Sequence, residues 1–398
     1  MKKIALVLPE VYPVPAVKGG AIEELVTILI EQNEIEQKAE FIIFSMANEA
    51  AEEKAKEYKH TKIVFIPKTS FADRLLNRIL RYSNTLVKGK TLIDIAYYRR
   101  VFQYLKEHPV DAIVAEGGLY HEMRRFAEEF GKDKIYLHIH HHLLCEPYID
   151  HLYGGVIGIS EFATKEWMRT TEDKEVRPYT VYNCVNEDKF TQKITEKERE
   201  ELRAEFGFGP EDTVVMYCGR ILEVKGAKEL VQAIININDP HIKLLMIGSA
   251  ISGGNAATPY VEEVQQLVEQ AKDRVKFTGY IDNHKLYRYY QSADIQVIPS
   301  LWEEAAGLIA IEGMLSGLPL IVTKSGGMVE YATKDVAIQV DREGIVENLE
   351  REIKALAGDM EKRAQMKAAS LEQAKVFPKS RFYHDFIEVF EDEGIREK

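Results

Sequence analysis

Short apolar runs alternate with longer amphipathic segments along nearly the whole chain. Such runs, rich in Val and Ile, are typical of strands that are buried on both faces of a parallel sheet. The first half predicts strands at 4–8, 40–44, 62–66, 112–115, 135–139 and 156–159. The second half predicts strands at 213–218, 243–247, 275–278, 295–298 and 320–323. Because helical segments separate several of these runs, the pattern predicts α/β domains with helices on both faces of each sheet.

The predicted helices follow the same alternation. They lie at 22–31, 120–130, 227–235, 260–271, 284–291, 307–315 and 379–391. Ser160 ends a strand and can cap a further helix that begins near Glu161. A chain of 398 residues suits two such domains of roughly 180 residues each. We therefore predict an N-terminal domain over 1–185, a C-terminal domain over 186–376, and a final helical segment over 377–398 that returns to the first domain. The polar stretch 186–200 is the expected linker.

Composition argues against several classes of protein. The sequence contains no run of about 18 apolar residues that could span a bilayer. Its start resembles a signal peptide, but Pro9 and Glu10 interrupt the apolar stretch, which favours a buried first strand. The three cysteines, Cys145, Cys184 and Cys218, have no metal-binding or redox spacing and suit a reducing cytosol. The net charge of −12 argues against a nucleic-acid partner.

One segment departs from this acidic balance. Between residues 74 and 100, seven basic side chains accompany one acid, Asp94. Arg74, Arg78 and Arg81 recur at helical spacing beside leucine and isoleucine residues, which predicts a short basic amphipathic helix. Such a helix can bind an anionic membrane surface. The alternative is a domain helix with one solvated face. The first interpretation places a cytoplasmic protein in peripheral contact with the inner face of the membrane.

Two glutamates eight residues apart are the most informative candidates. Glu304 lies in the loop after a strand, and Glu312 lies on the following helix, whose neighbouring side chains are apolar. Open α/β sheets bind ligands at the carboxyl ends of their strands, where Glu304 falls. A glutamate on a buried helix needs a partner, either a basic side chain or vicinal ligand hydroxyls. The amides of Gly307 and Leu308 at the helix start can face an anion. Alternatively, Glu304 is a solvated loop acid and Glu312 forms a structural salt bridge.

Glycines and histidines mark further candidate sites. Gly19 and Gly20 end the loop after the first strand, where glycine lets backbone amides approach a phosphate at a helix N-terminus. Histidines occupy positions 138 and 140 to 142. On a strand, His138, His140 and His142 share one face and have a spacing that can chelate zinc. The alternatives are a ligand contact or histidines satisfied within the fold.

The chain resembles the retaining GT-B glycosyltransferases of family four, the glycosyl transferases group 1. Their E-x7-E element appears as EAAGLIAIEGMLSGLPLIVTKSGG over 304–327. Their Gly-Arg…Lys-Gly element is similar to CGRILEVKG over 218–226, and VYNCVNEDKF over 181–190 is similar to their interdomain signature. The resemblance covers almost the whole chain. It implies two Rossmann-like domains that face each other across a cleft.

The resemblance also implies roles for residues of the C-terminal half. Glu304 would contact the transferred sugar, and Glu312 would hold the nucleotide ribose. Arg220 and Lys225 would neutralise the diphosphate as it leaves. Gly219, Gly307 and Leu308 belong to the same donor-binding segments.

In the N-terminal half, His140 aligns best with a family histidine that lies beside the transferred sugar. Gly19 and Gly20 match the family's N-terminal glycine loop. Enzymes of this fold generally need no metal for chemistry, so we expect neither a metal nor a cofactor. Two departures weaken an assignment of the donor by analogy. Ala305 and Ala306 replace the usual Pro-Phe, which opens space beside the sugar or the nucleotide.

The expected activity is retaining transfer of a hexose or N-acetylhexosamine from a nucleotide sugar, in the first place a UDP-sugar. The expected acceptor is a hydroxyl of a saccharide or lipid-linked saccharide, in the synthesis of cell-surface polysaccharide, lipopolysaccharide or glycoconjugate. A sugar epimerase or phosphorylase of the same architecture remains an alternative. A nicotinamide-dependent dehydrogenase is disfavoured, because neither half carries GxGxxG after its first strand.

Overall fold

The computed structural model describes residues 1–86, 92–93, 95–118, 120–190, 192–250 and 258–391. The chain divides into two compact units. The first unit comprises Met1–Asn183 with Lys379–Lys398, and the second comprises Cys184–Pro378. Each unit is a Rossmann-like α/β domain built on one parallel sheet, which confirms the predicted fold class.

The first unit has a seven-stranded sheet. Its strands are β1 (Lys2–Val7), β2 (Ala39–Met46), β3 (Thr61–Ile66), β4 (Ala112–Ala115), β5 (Ile135–Ile139), β6 (Gly155–Gly158) and β7 (Arg177–Thr180). Its helices before the unit boundary are α1 (Ala21–Glu36), α2 (Glu49–Ala55), α3 (Phe71–Leu86), α4 (Ala96–Glu107), α5 (Met123–Phe130) and α6 (Glu161–Thr170). The strand order is β3-β2-β1-β4-β5-β6-β7, with every neighbouring pair parallel. The connections reverse direction between β1 and β4, which makes this junction the topological switch point.

The second unit has a six-stranded sheet of the same kind. Its strands are β8 (Thr213–Cys218), β9 (Ile242–Ile247), β10 (Val275–Phe277), β11 (Ile295–Ile298), β12 (Leu320–Thr323) and β13 (Ala337–Val340). Its helices are α7 (Glu196–Glu205), α8 (Ala227–Asn236), α9 (Pro259–Gln270), α10 (Leu286–Ser292), α11 (Leu308–Leu315), α12 (Met328–Tyr331), α13 (Ile345–Gly358) and α14 (Met360–Ala374). The order β10-β9-β8-β11-β12-β13 places the switch point between β8 and β11.

The last helix, α15 (Lys379–Glu391), packs against α1 of the first unit. The hydroxyl of Tyr383 donates to Oδ1 of Asn33 at 2.6 Å. The ring of Phe386 meets Phe41 edge-on, with the ring centroids 6.4 Å apart. Buried aromatic side chains and one buried hydrogen bond therefore attach this helix to the unit that holds the start of the chain.

The apolar runs predict the central strands because those strands are buried, as the burial of Ile4–Leu8 illustrates. The strands β7 and β13 are missed. Both lie at sheet edges, where one neighbouring strand suffices and polar residues or proline are tolerated, as Pro178 illustrates. Helix α7 begins inside the polar stretch 186–200, where Thr195 and Glu198 form a capping box. Within the described residues, every helix is too short or too polar to cross a bilayer.

Candidate functional site

The candidate residues of the second unit gather at its switch point. Lys225 lies in the loop after β8, and Glu304 lies in the loop after β11. These two strands are neighbours in the sheet and run parallel. Their carboxyl ends therefore bring the two loops together at the position where open α/β sheets bind ligands.

Glycine at position 226 permits this approach. Gly226 caps α8 in the left-handed conformation, with φ +68°. A Cβ atom there would lie 2.0 Å from the carbonyl oxygen of Pro299, which is backbone and cannot move aside cheaply. The amide of Leu301 donates to the carbonyl of Val224 at 2.8 Å and ties the same two loops. The Lys-Gly pair of the sequence element thus combines a cation with the residue that lets it reach the neighbouring strand.

Lys225 and Glu304 form a largely buried ion pair. Nζ of Lys225 lies 2.6 Å from Oε1 of Glu304, and the side chains are 17% and 11% exposed. The hydroxyl of Ser300 donates to the same oxygen at 2.5 Å. The Lys225 ammonium also lies 4.8 Å from the ring centroid of Trp302. Glu304 is therefore not the solvated loop acid of the alternative interpretation. Its charge is balanced by Lys225, the cation for which the family resemblance implies a contact with the diphosphate.

The backbone at Glu304 is held by the loop after β12. The amide of Glu304 donates to Oγ of Ser325 at 3.1 Å, and the amide of Gly327 donates to the Glu304 carbonyl at 2.6 Å. Oγ of Ser325 also donates to the carbonyl of Trp302 at 2.5 Å. The Ser-Gly-Gly that ends the matched sequence element thereby fixes the loop that carries the first glutamate.

Glu312 has a partner that the sequence does not suggest. It lies on α11, and its Oε2 accepts a hydrogen bond from the hydroxyl of Tyr290 on α10 at 2.7 Å. Burial raises the pKa of Tyr290 well above its usual value, so the phenol stays protonated and acts as a donor. Cys218, at the end of β8, lies next to both groups, and burial together with the Glu312 charge raises its pKa to about 12. The thiol is therefore neutral at physiological pH.

The remaining donor-site candidates lie on the same two segments. Gly219 and Arg220 directly follow β8, and the Arg220 side chain is exposed. The Arg220 carbonyl accepts a hydrogen bond from the Tyr217 hydroxyl at 2.7 Å. Gly307 is the N-terminal cap of α11, and Leu308 is its first residue. The backbone amides in the first turn of α11, which have no partner within the helix and can bind an anion, therefore lie between Glu304 and Glu312 in the sequence.

In the first unit, Gly19 and Gly20 stand at the start of α1, both with positive φ. The Glu23 carboxylate folds back on this helix start and accepts backbone hydrogen bonds from Glu23 and Tyr12. A Cβ atom on Gly20 would lie 2.1 Å from Oε2 of Glu23. An acid of the chain itself thus lies where the glycine turn suggests a bound phosphate.

The histidine run divides into two groups. His138 and His140 share Oε2 of Glu116, each at 2.8 Å, whereas His142 pairs with Glu166 on α6 at 3.3 Å. The zinc set His138, His140 and His142 is therefore wrong. Strand β5 ends at residue 139, so its alternation does not extend to position 142. Glu116, at the end of β4, replaces His142 in the group whose ligand atoms lie within 4.8 Å of one another, a spacing that could hold a metal ion.

The basic segment contains helix α3, which is longer than its arginine spacing suggests. Its inner side makes polar contacts: Asp73 pairs with Arg100 of α4 at 2.8 Å, and Asn84 hydrogen-bonds the backbone of Leu92. Its exposed side carries Phe71, Leu75, Leu76, Ile79 and Tyr82, together with Arg74, Arg78 and Arg81. Lys88, Lys90 and Asp94 lie outside the described residues. The exposed face of this helix is thus both apolar and basic.

Comparison with known proteins supports an enzyme class. Residues 198–373 match the family described as Glycosyl transferases group 1. Spore coat protein SA of Bacillus subtilis is 27% identical over 341 residues, covering 82% of each chain. The lipopolysaccharide 1,2-N-acetylglucosaminetransferase of Salmonella typhimurium is 23% identical over 258 residues, covering 63% of this chain and 65% of the relative.

Solved structures share the fold. A glycosyltransferase from Rickettsia africae superposes with a TM-score of 0.75 at 16% identity, covering 98% of each chain. The Anabaena protein Alr3699/HepE in complex with UDP-glucose superposes with a TM-score of 0.72 at 19% identity, covering 98% of this chain and 100% of the other. The partial family match and the glycosyltransferase relatives support a transferase enzyme, and the solved structures show the same fold.

Proposed function

We propose that the protein transfers a hexose or N-acetylhexosamine, with retention of anomeric configuration, from a nucleotide sugar to a hydroxyl of a saccharide or lipid-linked saccharide. The observation that carries the proposal is the Lys225–Glu304 pair at the switch point of the second unit. We favour a UDP-sugar because structures of the similar Anabaena protein hold UDP and UDP-glucose. The product would belong to cell-surface polysaccharide or glycoconjugate synthesis.

The proposed donor contacts follow the charges at the switch point. Glu312, held by Tyr290, accepts hydrogen bonds from the ribose hydroxyls. Arg220, Lys225 and the first amides of α11 stabilise the diphosphate. Lys225 would then exchange its bond to Glu304 for the diphosphate, and the released carboxylate would accept from hydroxyls of the sugar. In the first unit, His140 would contact the transferred sugar. A phosphate at Gly19 and Gly20 would have to displace the Glu23 carboxylate from the helix start.

The proposed reaction needs no protein base. The bond between the anomeric carbon and the diphosphate oxygen breaks, and its electron pair leaves with the nucleoside diphosphate. The acceptor oxygen bonds to the anomeric carbon from the same face, and its proton passes to the departing phosphate oxygen. Lys225 and Arg220 act on the negative charge that grows on the leaving group, which is where electrostatic catalysis is strongest.

A panel of nucleotide sugars tests the proposal. The protein is incubated with UDP- and GDP-linked hexoses and a set of saccharide acceptors. Released nucleoside diphosphate is measured, and the product is analysed by NMR. We expect UDP release together with a glycoside of unchanged anomeric configuration. An epimerised sugar without a glycoside would support the epimerase, and dependence on inorganic phosphate would support the phosphorylase. Glu304→Gln is the control, because it keeps the hydrogen-bonding shape but loses the charge.

A lipid-linked acceptor would give helix α3 a function. Phe71, Leu75, Ile79 and Tyr82 fall within roughly a quarter of the helix circumference at about 100° per residue. All four are exposed, Phe71 to 81%. Arg74, Arg78 and Arg81 flank this stripe on one side, so apolar insertion and attraction to anionic headgroups can act together. We propose that α3 binds the anionic face of a membrane, with each arginine contributing about 1 kcal/mol.

Co-sedimentation with anionic liposomes at low and high salt tests the membrane contact. Wild type should sediment with vesicles at low salt, and a variant with all three arginines replaced by glutamate should not. The matched control places the same charge change on three exposed lysines of the second unit, Lys197, Lys272 and Lys375. Equal sedimentation of wild type and the arginine variant would refute the contact. If the arginine variant and the lysine variant lose sedimentation equally, the vesicle binding depends on net charge and not on α3.

A further inference from the structure

A buried group of three side chains lies at the ends of β4 and β5 in the first unit. Oε2 of Glu116 accepts from Nδ1 of His138 and from Nε2 of His140, each at 2.8 Å. The side chains are 0%, 1% and 5% exposed. An ionised carboxylate can only accept hydrogen bonds, so both nitrogens that face it carry a proton. One carboxylate oxygen thus fixes the orientation of both rings.

The other polar atoms of the group have no partner among the described residues. These atoms are Oε1 of Glu116, Nε2 of His138 and Nδ1 of His140, and all three are buried. A second proton on either ring would place a buried N–H where no described group accepts it. Orphaned buried N–H groups are rarer in proteins than orphaned acceptors. His140 is therefore neutral, and its Nδ1 carries a lone pair that no described group donates to.

A metal ion fits this environment less well. Two histidines and a glutamate form a donor set used by zinc, and their ligand atoms lie within 4.8 Å of one another. An ion bound to the three facing atoms would move each ring proton to the far nitrogen. Metal-bound histidine almost always donates that second N–H to an acceptor. Within the described part of the chain, neither far nitrogen has one.

Neutral His140 presents Nδ1 as an acceptor that lacks a donor, and a sugar hydroxyl is such a donor. We infer that Glu116 is a positioning residue, which together with His138 holds His140 in the Nε2–H tautomer so that Nδ1 accepts a hydrogen bond from a hydroxyl of the transferred sugar. This inference rests on the proposed function, in which His140 contacts that sugar.

Long-range proton–nitrogen NMR on protein labelled at histidine reports the tautomers directly, without turnover. At neutral pH we expect His140 in the Nε2–H form and a proton on Nδ1 of His138. Glu116→Ala should change the protonated nitrogen of at least one ring, because it removes the oxygen that both N–H groups face. His142→Asn is the matched control, since His142 bonds Glu166 instead. An Nδ1–H or doubly protonated His140 in wild type would overturn the inference.

Activity measurements separate this inference from the proposed function. With an active UDP-hexose, Glu116→Ala should lower kcat/KM about tenfold, the value of one well-made hydrogen bond, and leave UDP affinity unchanged. Normal turnover in His140→Asn, with the expected tautomers present, would refute the sugar contact of the proposed function. Impaired His140→Asn with unimpaired Glu116→Ala would refute the positioning role. About one equivalent of zinc retained by wild type after desalting, and lost in Glu116→Ala, would also overturn the inference.

Discussion

Removing the ammonium group of Lys225 separates the stability of the second unit from its catalysis. Lys225→Met keeps an unbranched apolar side chain near Trp302 but leaves the Glu304 carboxylate without its cation. Breaking a buried ion pair costs about 3–5 kcal/mol, and breaking an exposed pair costs about 0–1 kcal/mol. With side chains 17% and 11% exposed, we expect a loss of about 2 kcal/mol. Adding Glu304→Gln removes the uncompensated charge and should restore more than half of it.

Tryptophan fluorescence can follow this unit alone. The chain has two tryptophans, Trp167 on α6 of the first unit and Trp302 beside Lys225. In a Trp167→Phe background, urea unfolding monitored at Trp302 reports the second unit, even where the two units unfold separately. An unchanged midpoint in Lys225→Met would contradict the assigned ion pair.

Turnover should respond differently from stability. Because Lys225 is proposed to stabilise the leaving diphosphate, Lys225→Met should lower kcat at least about a hundredfold, roughly 3 kcal/mol of barrier. Glu304→Gln should not restore it. Arg220→Ala is the comparison, since this exposed residue should lose similar turnover with little change in stability. Donor affinity should fall far less than kcat in both single variants. Near-normal turnover in Lys225→Met and Arg220→Ala would remove the diphosphate assignment.

Three further predictions concern groups around the two sites. Tyr290→Phe removes the donor to Glu312 and should weaken UDP binding by about 1 kcal/mol but leave 2′-deoxy-UDP binding unchanged in calorimetry; equal losses would refute its role at the ribose. Gly226→Ala should destabilise the second unit by about 2 kcal/mol or more. Gly207→Ala, with similar φ but open space, should cost less, and equal urea midpoints would contradict the close approach. Burial and His138 lower the pKa of His140 to about 4, so its contribution to stability is complete above pH 6.5 and lost as the pH falls toward 4. His140→Asn should reduce the change in the free energy of unfolding between pH 6.5 and pH 4. An equal pH dependence in wild type and variant would contradict the buried neutral ring.

The sequence predicts the central strands well because burial on both faces leaves long apolar runs. It also places both glutamates correctly, one in a loop after a strand and one on the next helix. Their partners are not predictable in the same way. Lys225 and Glu304 are 79 residues apart, and only the sheet order, with β11 beside β8, brings them together.

Two other features show where local pattern is insufficient. Tyr290 is one of several tyrosines on α10, and only the packing of that helix selects it as the partner of Glu312. The histidine run follows strand alternation only as far as residue 139. Beyond that point the chain turns, and Glu116 from the neighbouring strand joins His138 and His140. In both cases the decisive contact joins different elements of the fold, so spacing along the chain carries no signal for it.

The central claim is that the second unit binds a nucleoside diphosphate through its ribose at Glu312 and its diphosphate at Arg220 and Lys225. Calorimetric titration with UDP, uridine, 2′-deoxy-UDP and GDP tests it without knowledge of the acceptor. We predict that wild type binds UDP or GDP far more tightly than uridine, and UDP more tightly than 2′-deoxy-UDP. Glu312→Ala should weaken the preferred nucleotide by about 2–4 kcal/mol and abolish the discrimination between ribose and deoxyribose. A folded Glu312→Ala variant with unchanged affinity and unchanged discrimination would contradict the account.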